Sequence, residues 1–167
     1  AKGSLTLVGA DPGIGKSTLL LQLSHALANK GLTVLYVCGE ESVAQTSLRA
    51  KRLGIGSDQL FLLSETQFSL IKAHIEQLNP DILVIDSIQI LYKHELSSAP
   101  GSVSQVRETA TELMHLTKNR QMTTFLIGHV TKSGDIAGPR VLEHLVDTVL
   151  YFEGDKCYMV SIPNGIC

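Results

Sequence analysis

The residues of this 167-residue chain best suited to chemistry fall into a few short groups: a glycine-rich stretch ending in Lys16, Ser17 and Thr18, the acids Glu40 and Glu41, then Asp86, then His129. In Gly9-Ala10-Asp11-Pro12-Gly13-Ile14-Gly15-Lys16-Ser17-Thr18, a lysine and a hydroxyl follow the glycines at the spacing of a loop that wraps a phosphate chain in backbone N–H groups. Gly13 and Gly15 allow close approach and positive φ, and Pro12 presets one φ of the turn. Lys16 is spaced to reach the β- and γ-phosphates of ATP, or the β-phosphate of ADP, and the Ser17 hydroxyl to ligate Mg²⁺. The candidate nucleotide cradle is therefore Ala10, Asp11, Pro12, Gly13, Ile14, Gly15, Lys16, Ser17 and Thr18. The strict pattern opens with Gly where this chain has Ala10, the smallest substitute, which we read as tolerated.

Glu40 and Glu41 follow a buried-type strand, at the edge where α/β sheets place their ligands. A base that orients an attacking water belongs there, and Glu40 is the first choice. An equally open reading is that both acids only favour the N-terminus of the next helix through its dipole. In Ile82-Leu83-Val84-Ile85-Asp86-Ser87, four aliphatics carry one acid to a strand end. Downstream of a phosphate loop, that is how an aspartate reaches the Mg²⁺ shell; a turn or cap role is the alternative for Asp86. His129, after the apolar run Thr123–Ile127, is placed to sense a γ-phosphate, or else is a satisfied histidine in a strand-end turn.

These groups need strands behind them. The run from Leu5 is a short buried strand feeding a helix that starts near Lys16 and stops at Asn29-Lys30-Gly31. Leu32–Val37 reads as a strand apolar on both faces, which implies a parallel sheet. Further elements are a helix Val43–Leu53, a strand Leu60–Leu63, a helix Phe68–Leu78 stopped by Asn79-Pro80, and a helix Ser102–Asn119. A strand Asp147–Glu153 and a hairpin partner at Cys157–Ile162 complete the reading. Tyr92–Gly101 and Ser133–Arg140 are polar loops. Arg49, Lys51 and Arg52 suit the C-terminal end of their helix and read as a solvated face, and Arg107 as a surface residue with a nearby partner.

Composition bounds the function. The chain is 44% hydrophobic and 18% charged, as expected of one globular domain, and no apolar run approaches the roughly 20 residues that span a bilayer. A net charge of −2 offers no footprint for nucleic acid, so any DNA contact must come from local loops. Cys38, Cys157 and Cys167 form neither a disulfide framework nor a zinc site, which suits a reducing cytoplasm. Cys38 reads as an inert buried thiol. The remaining histidines have no metal-ligand spacing. The chain starts almost on its first strand and so looks like a single excised domain, residues 1–167.

With these motifs placed, the sequence resembles the RadA (Sms) family of bacterial DNA repair ATPases, in the RecA-like group. The resemblance rests on Gly9–Thr18, Gly39-Glu40-Glu41-Ser42, Val84–Gln89, Ser98–Glu108, Gly128-His129-Val130-Thr131-Lys132 and Ala137–His144, and it runs to about Asp155. It implies an α/β fold, a RecA-like P-loop NTPase core with a mostly parallel central sheet flanked by helices. It further implies a homo-oligomeric, hexameric ring with ATP between subunits, translocation on single-stranded DNA during branch migration, and a recombinase partner. By motif match, Ala10–Ser17 hold the phosphates, Glu40 is the base, Asp86 the Mg²⁺ partner and His129 the γ-phosphate sensor. Loops around Ser98–Gln105 and Thr131–Arg140 resemble those facing a central DNA channel.

The family's four-cysteine zinc module, its Lon-protease-like domain and its Lys-Asn-Arg-Phe-Gly motif are absent from the 167 residues. The tail Lys156–Cys167 has Lys156 but no arginine and reads as an altered or foreign end. A finger of the missing kind contributes roughly 10³–10⁵ in rate, so slow turnover is expected. The leading reading is a DNA-acting, Mg²⁺-dependent ATPase. The rival is a nucleotide-gated assembly or DNA-binding module with little hydrolysis. A small-molecule kinase ranks last, because Arg49, Arg52, Arg107, Arg120 and Arg140 are scattered singly.

Overall fold

A computed structural model describes residues 1–11, 13–129 and 139–152 of the chain. The apolar runs form strands β1 (Leu5–Ala10), β2 (Val34–Cys38), β3 (Leu60–Leu63), β4 (Ile82–Asp86), β5 (Thr123–His129) and β6 (Thr148–Phe152). Helices α1 (Lys16–Ala28), α2 (Val43–Arg52), α3 (Phe68–Leu78) and α4 (Val103–Asn119) lie between them. The strands join one sheet in the order β3-β2-β4-β5-β1-β6, and every pairing is parallel. The expected mostly parallel sheet is thus parallel throughout its described strands.

Parallel sheets bury both faces, and the two faces here carry two separate cores. Leu5, Leu7, Leu35, Val37, Leu83, Ile85 and Leu126 point to one side, against Ile71 and Ile75 of α3 and Val106, Ala110 and Leu113 of α4. Val8, Val34, Tyr36, Ile82, Val84 and Ile127 point to the other, against Leu20, Leu21 and Ala28 of α1 and Ala50 of α2. The alternation is the period-2 rule of a strand.

Element ends differ from the sequence reading for identifiable reasons. β2 begins at Val34 rather than Leu32, because the Leu32 N–H closes onto Leu27 O at 3.3 Å and the Thr33 N–H is taken by Asp81 Oδ2 at 2.9 Å. β5 runs two residues beyond Ile127, since β1 pairs with it up to Ala10 opposite His129. β6 occupies Thr148–Phe152. Glu153, the hairpin partner Cys157–Ile162, Lys156, Pro12 and positions 130–138 of the second loop lie outside the described residues.

The loop of residues 92–101 is fastened from within. Gln105, 1% exposed, accepts from the Lys93 N–H at 2.8 Å and donates to the Lys93 and Ser98 carbonyls at 3.2 and 2.9 Å. Gln105 thus turns its amide into its own loop. Lys93 also pairs with Glu112 of α4 at 2.7 Å, and Glu112 with Lys72 of α3 at 3.0 Å.

Candidate functional site

The carboxyl ends of β1, β2, β4 and β5 lie side by side, so each turn that follows them delivers its first residues to one edge of the sheet. After β1, Gly13 and Gly15 both have positive φ, 82° and 94°. A Cβ at either would meet nothing within 4 Å, so backbone conformation, not crowding, calls for glycine there. α1 then starts at Lys16 with Gly15 as its N-cap and no side-chain cap. By contrast, α2 and α4 are capped by Ser42 and Ser102, each accepting from the backbone N–H three residues on. The first N–H groups of α1 are thus left for an anion, the arrangement that binds phosphate at helix N-termini.

Lys16 is only 4% exposed. Burial lowers its pKa, opposed by the negative charges of Asp86, Glu40 and Asp11. Asp86 ends β4, 8% exposed, beside Ser17. Burial raises its pKa, opposed by the neighbouring Ser17 hydroxyl and by the hydrogen bond from Tyr36. Its Oδ1 is buried without a partner among the described residues, although buried carboxylate oxygens are almost always satisfied. An unpartnered oxygen next to a hydroxyl fits a hard divalent cation such as Mg²⁺, which takes oxygen ligands and usually keeps only one or two from the protein.

Sequence left Glu40 and Glu41 open, and the structure separates them. Glu41 pairs with Arg49 of α2, which is therefore an ion-pair partner rather than a free solvated cation. Glu40, itself exposed, reaches across to β4 and β5: its Oε1 accepts from the Ser87 hydroxyl and bonds His129 Nε2. The hydrogen bond to His129 is the main cause of a lowered Glu40 pKa, with Ser87 adding to it against the cost of burial. Ligand atoms of Glu40, Asp86 and His129 lie within 4.8 Å of one another. Of the residues read as catalytic or metal-binding, Lys16, Ser17, Glu40, Asp86 and His129 are brought to this edge. Asp11, Gly13, Ile14 and Thr18 lie in the adjoining loop and first turn, and Ala10 ends β1 opposite His129.

Several contributors were not assigned a role from sequence. Ser87 and Gln89 lie in the stretch quoted for the family resemblance, yet nothing in their types pointed to Glu40 and His129. Gln89 donates to His129 O at 3.2 Å and accepts from the His129 N–H at 3.4 Å. It does so from a short 3₁₀ turn, Ile88–Ile90, where β4 has left the sheet. Gly39 makes room for that turn: a Cβ there would stand 1.6 Å from Ile90 Cδ1, so a larger residue displaces the Ile90 side chain. Tyr36, a lone hydroxyl in an aliphatic strand, was the one signal available, since a buried phenol needs a partner. Cys38 is a buried thiol, as expected, its Sγ 3.5 Å from Leu63 O. Arg107 is exposed, and among the described residues its side chain has no hydrogen bond or ion pair.

Comparison with known proteins agrees with this geometry. Residues 1–135 match a family described as AAA domain. The chain is similar to the DNA repair protein RadA of Chlamydia muridarum, 69% identical over 153 residues that cover 92% of this chain and 34% of the relative. It is 59% identical to that of Bacillus subtilis over 165 residues, 99% of this chain and 36% of the relative. For Streptococcus pyogenes serotype M1 the figures are 58% over 164 residues, 98% and 36%. The chain thus spans about a third of the length of these curated relatives. The Bacillus match covers 99% of the chain and so reaches the tail, whereas the Chlamydia match covers 92%. No described helix is long and apolar enough to cross a membrane.

Proposed function

Since the chain belongs to the AAA domain family, with a RecA-like P-loop fold and the RadA resemblance borne out, we propose that it binds and hydrolyses Mg²⁺-ATP as the motor core of a DNA repair protein. The observation that carries this reading is the meeting of Lys16, Ser17, Glu40, Asp86 and His129, from four strand ends, beside the uncapped start of α1.

In this reading the backbone N–H groups from Gly13 to Ser17 grip the phosphate chain, and Lys16 neutralises charge on the β- and γ-phosphates. Ser17 and Asp86 would hold Mg²⁺, whose contribution is further neutralisation of charge on the transferred phosphoryl group. Glu40 orients the attacking water and accepts its proton; its lowered pKa keeps it ionised but makes it a weaker base until His129 or Ser87 lets go of it. A γ-phosphate within reach of His129 competes with Glu40 for the imidazole, so nucleotide and base are read by one side chain. The work done is translocation on single-stranded DNA in branch migration, by a hexameric ring with a recombinase partner, in the cytoplasm.

A second reading, a nucleotide-gated assembly or DNA-binding module, is favoured by two contacts: Glu40 is already bonded to Ser87 and to His129. Steady-state ATP hydrolysis with and without single-stranded DNA, with Lys16→Ala as the blank, tests both. DNA-stimulated turnover supports the motor; tight ATP binding without turnover supports the gated module. Unchanged ATP affinity in folded Lys16→Ala would refute the nucleotide site, as full Mg²⁺-dependent turnover in Asp86→Asn would refute the metal assignment.

A further inference from the structure

Tyr36 lies in the middle of β2, 2% exposed, among Val34, Leu35 and Val37. A phenylalanine would fill the same space, so the hydroxyl is not needed for packing. That hydroxyl donates to Asp86 Oδ2 at 2.9 Å and stands 3.4 Å from the backbone carbonyl oxygen of Ser17. It therefore touches both residues assigned above to the cation, one at the end of β4 and one in the first turn of α1.

The consequence is an asymmetric carboxylate. A free aspartate has two equivalent oxygens on a broad, roughly two-fold torsion. Here Oδ2 is committed to the phenol, while Oδ1 is buried with no partner among the described residues. Leaving a buried acceptor unpaired is costly, so the fold fixes which oxygen bears that cost. We propose that Tyr36 is a positioning residue for the divalent cation: by holding Asp86 Oδ2 and abutting the Ser17 carbonyl, it leaves Oδ1 as the oxygen offered to Mg²⁺ and sets its distance from the α1 turn. This rests on the Mg²⁺-nucleotide reading above.

The test measures ADP affinity of the full chain at a series of Mg²⁺ concentrations and in EDTA, for the unsubstituted chain, Tyr36→Phe, Asp86→Asn and the double variant. Tyr36→Phe raises the Mg²⁺ concentration giving half-maximal effect about tenfold, the worth of one hydrogen bond to a charged group, and by more than it shifts affinity in EDTA. In the Asp86→Asn background the same substitution adds nothing, because the residue acts through Asp86. A Mg²⁺ midpoint unchanged by Tyr36→Phe, or an equal shift on top of Asp86→Asn, would overturn the proposal. Absence of any Mg²⁺ effect on the unsubstituted chain would instead overturn the metal assignment, and Tyr36's role with it. A readout that needs no variant at Tyr36 is NMR of ring-labelled tyrosine in the unsubstituted ADP complex. The Tyr36 resonance moves on adding Mg²⁺ more than those of Tyr92 and Tyr151, and a resonance that stays fixed counts against the role.

Discussion

Replacing Gln89 by leucine isolates the device that holds His129. In a strand, the N–H and C=O of one residue point to the same side, and those of His129 face the side from which β4 has departed after Asp86. β4 pairs with β5 only as far as Ile85 opposite Leu126, so beyond that point the Gln89 amide stands in for a strand. Gln89 is 8% exposed, and leucine keeps its volume. The substitution removes the pair of hydrogen bonds to His129, at 3.2 and 3.4 Å, and strands a partly buried backbone donor and acceptor. Long bonds sit at the weak end of the range, so the loss is about 2 kcal/mol, most of it the cost of the stranded groups. For a chain of this size that is about 4–8 °C in Tm. Thermal unfolding of the nucleotide-free chain measures it, and hydrogen exchange at the His129 amide locates it, with faster exchange expected at His129 than at Leu126. A Tm within about 1 °C of the unsubstituted chain, with the His129 amide equally protected, would refute the reasoning.

Gly15→Ala costs roughly 1–2 kcal/mol through its φ of 94° alone, since a Cβ there meets nothing within 4 Å; an unchanged denaturant midpoint would show that the turn relaxes freely. Ser42→Ala removes the capping box with Gln45 and lowers stability by about 1 kcal/mol, read from urea unfolding. Glu112→Gln tests a pH dependence. The hydrogen bond from Lys93, then that from Lys72, lowers the Glu112 pKa, so its stabilisation is present above the usual carboxylate range and fades as pH falls through the lowered value. The variant therefore loses about 1 kcal/mol at pH 7 and converges with the unsubstituted chain in acid; a gap that persists there would contradict the assignment.

The sheet was legible because parallel strands buried on both faces must be apolar throughout, as Ile82–Ile85 and Leu35–Val37 are. The phosphate loop was legible because its glycines, lysine and hydroxyl occupy consecutive positions. What escaped was whatever depends on where chains part. Gly128 and His129 look like a turn, but β1 draws them into β5. Gln89 acquires its role only because β4 stops short. The choice between Glu40 and Glu41 turns on two distant partners, Arg49, eight residues after Glu41, and His129, which bonds Glu40. The role of Gln105 was not legible for a related reason: a polar residue beside a polar loop gives no sign that its buried amide satisfies that loop's own backbone.

The Gln105 fastening also has a mechanical meaning. A loop stapled at Lys93 and Ser98 to the first turn of α4 cannot bend independently of that helix; it is a handle on a rod of 17 residues, about 25 Å long. The far end of the rod is pinned as well, by the fully buried hydroxyls of Thr117 and Thr124, 2.7 Å apart. Thr124 belongs to β5, whose last residue is His129. The fastened loop, the rod and the strand that ends at His129 are thus joined in series, one hydrogen-bonded junction at each end of α4.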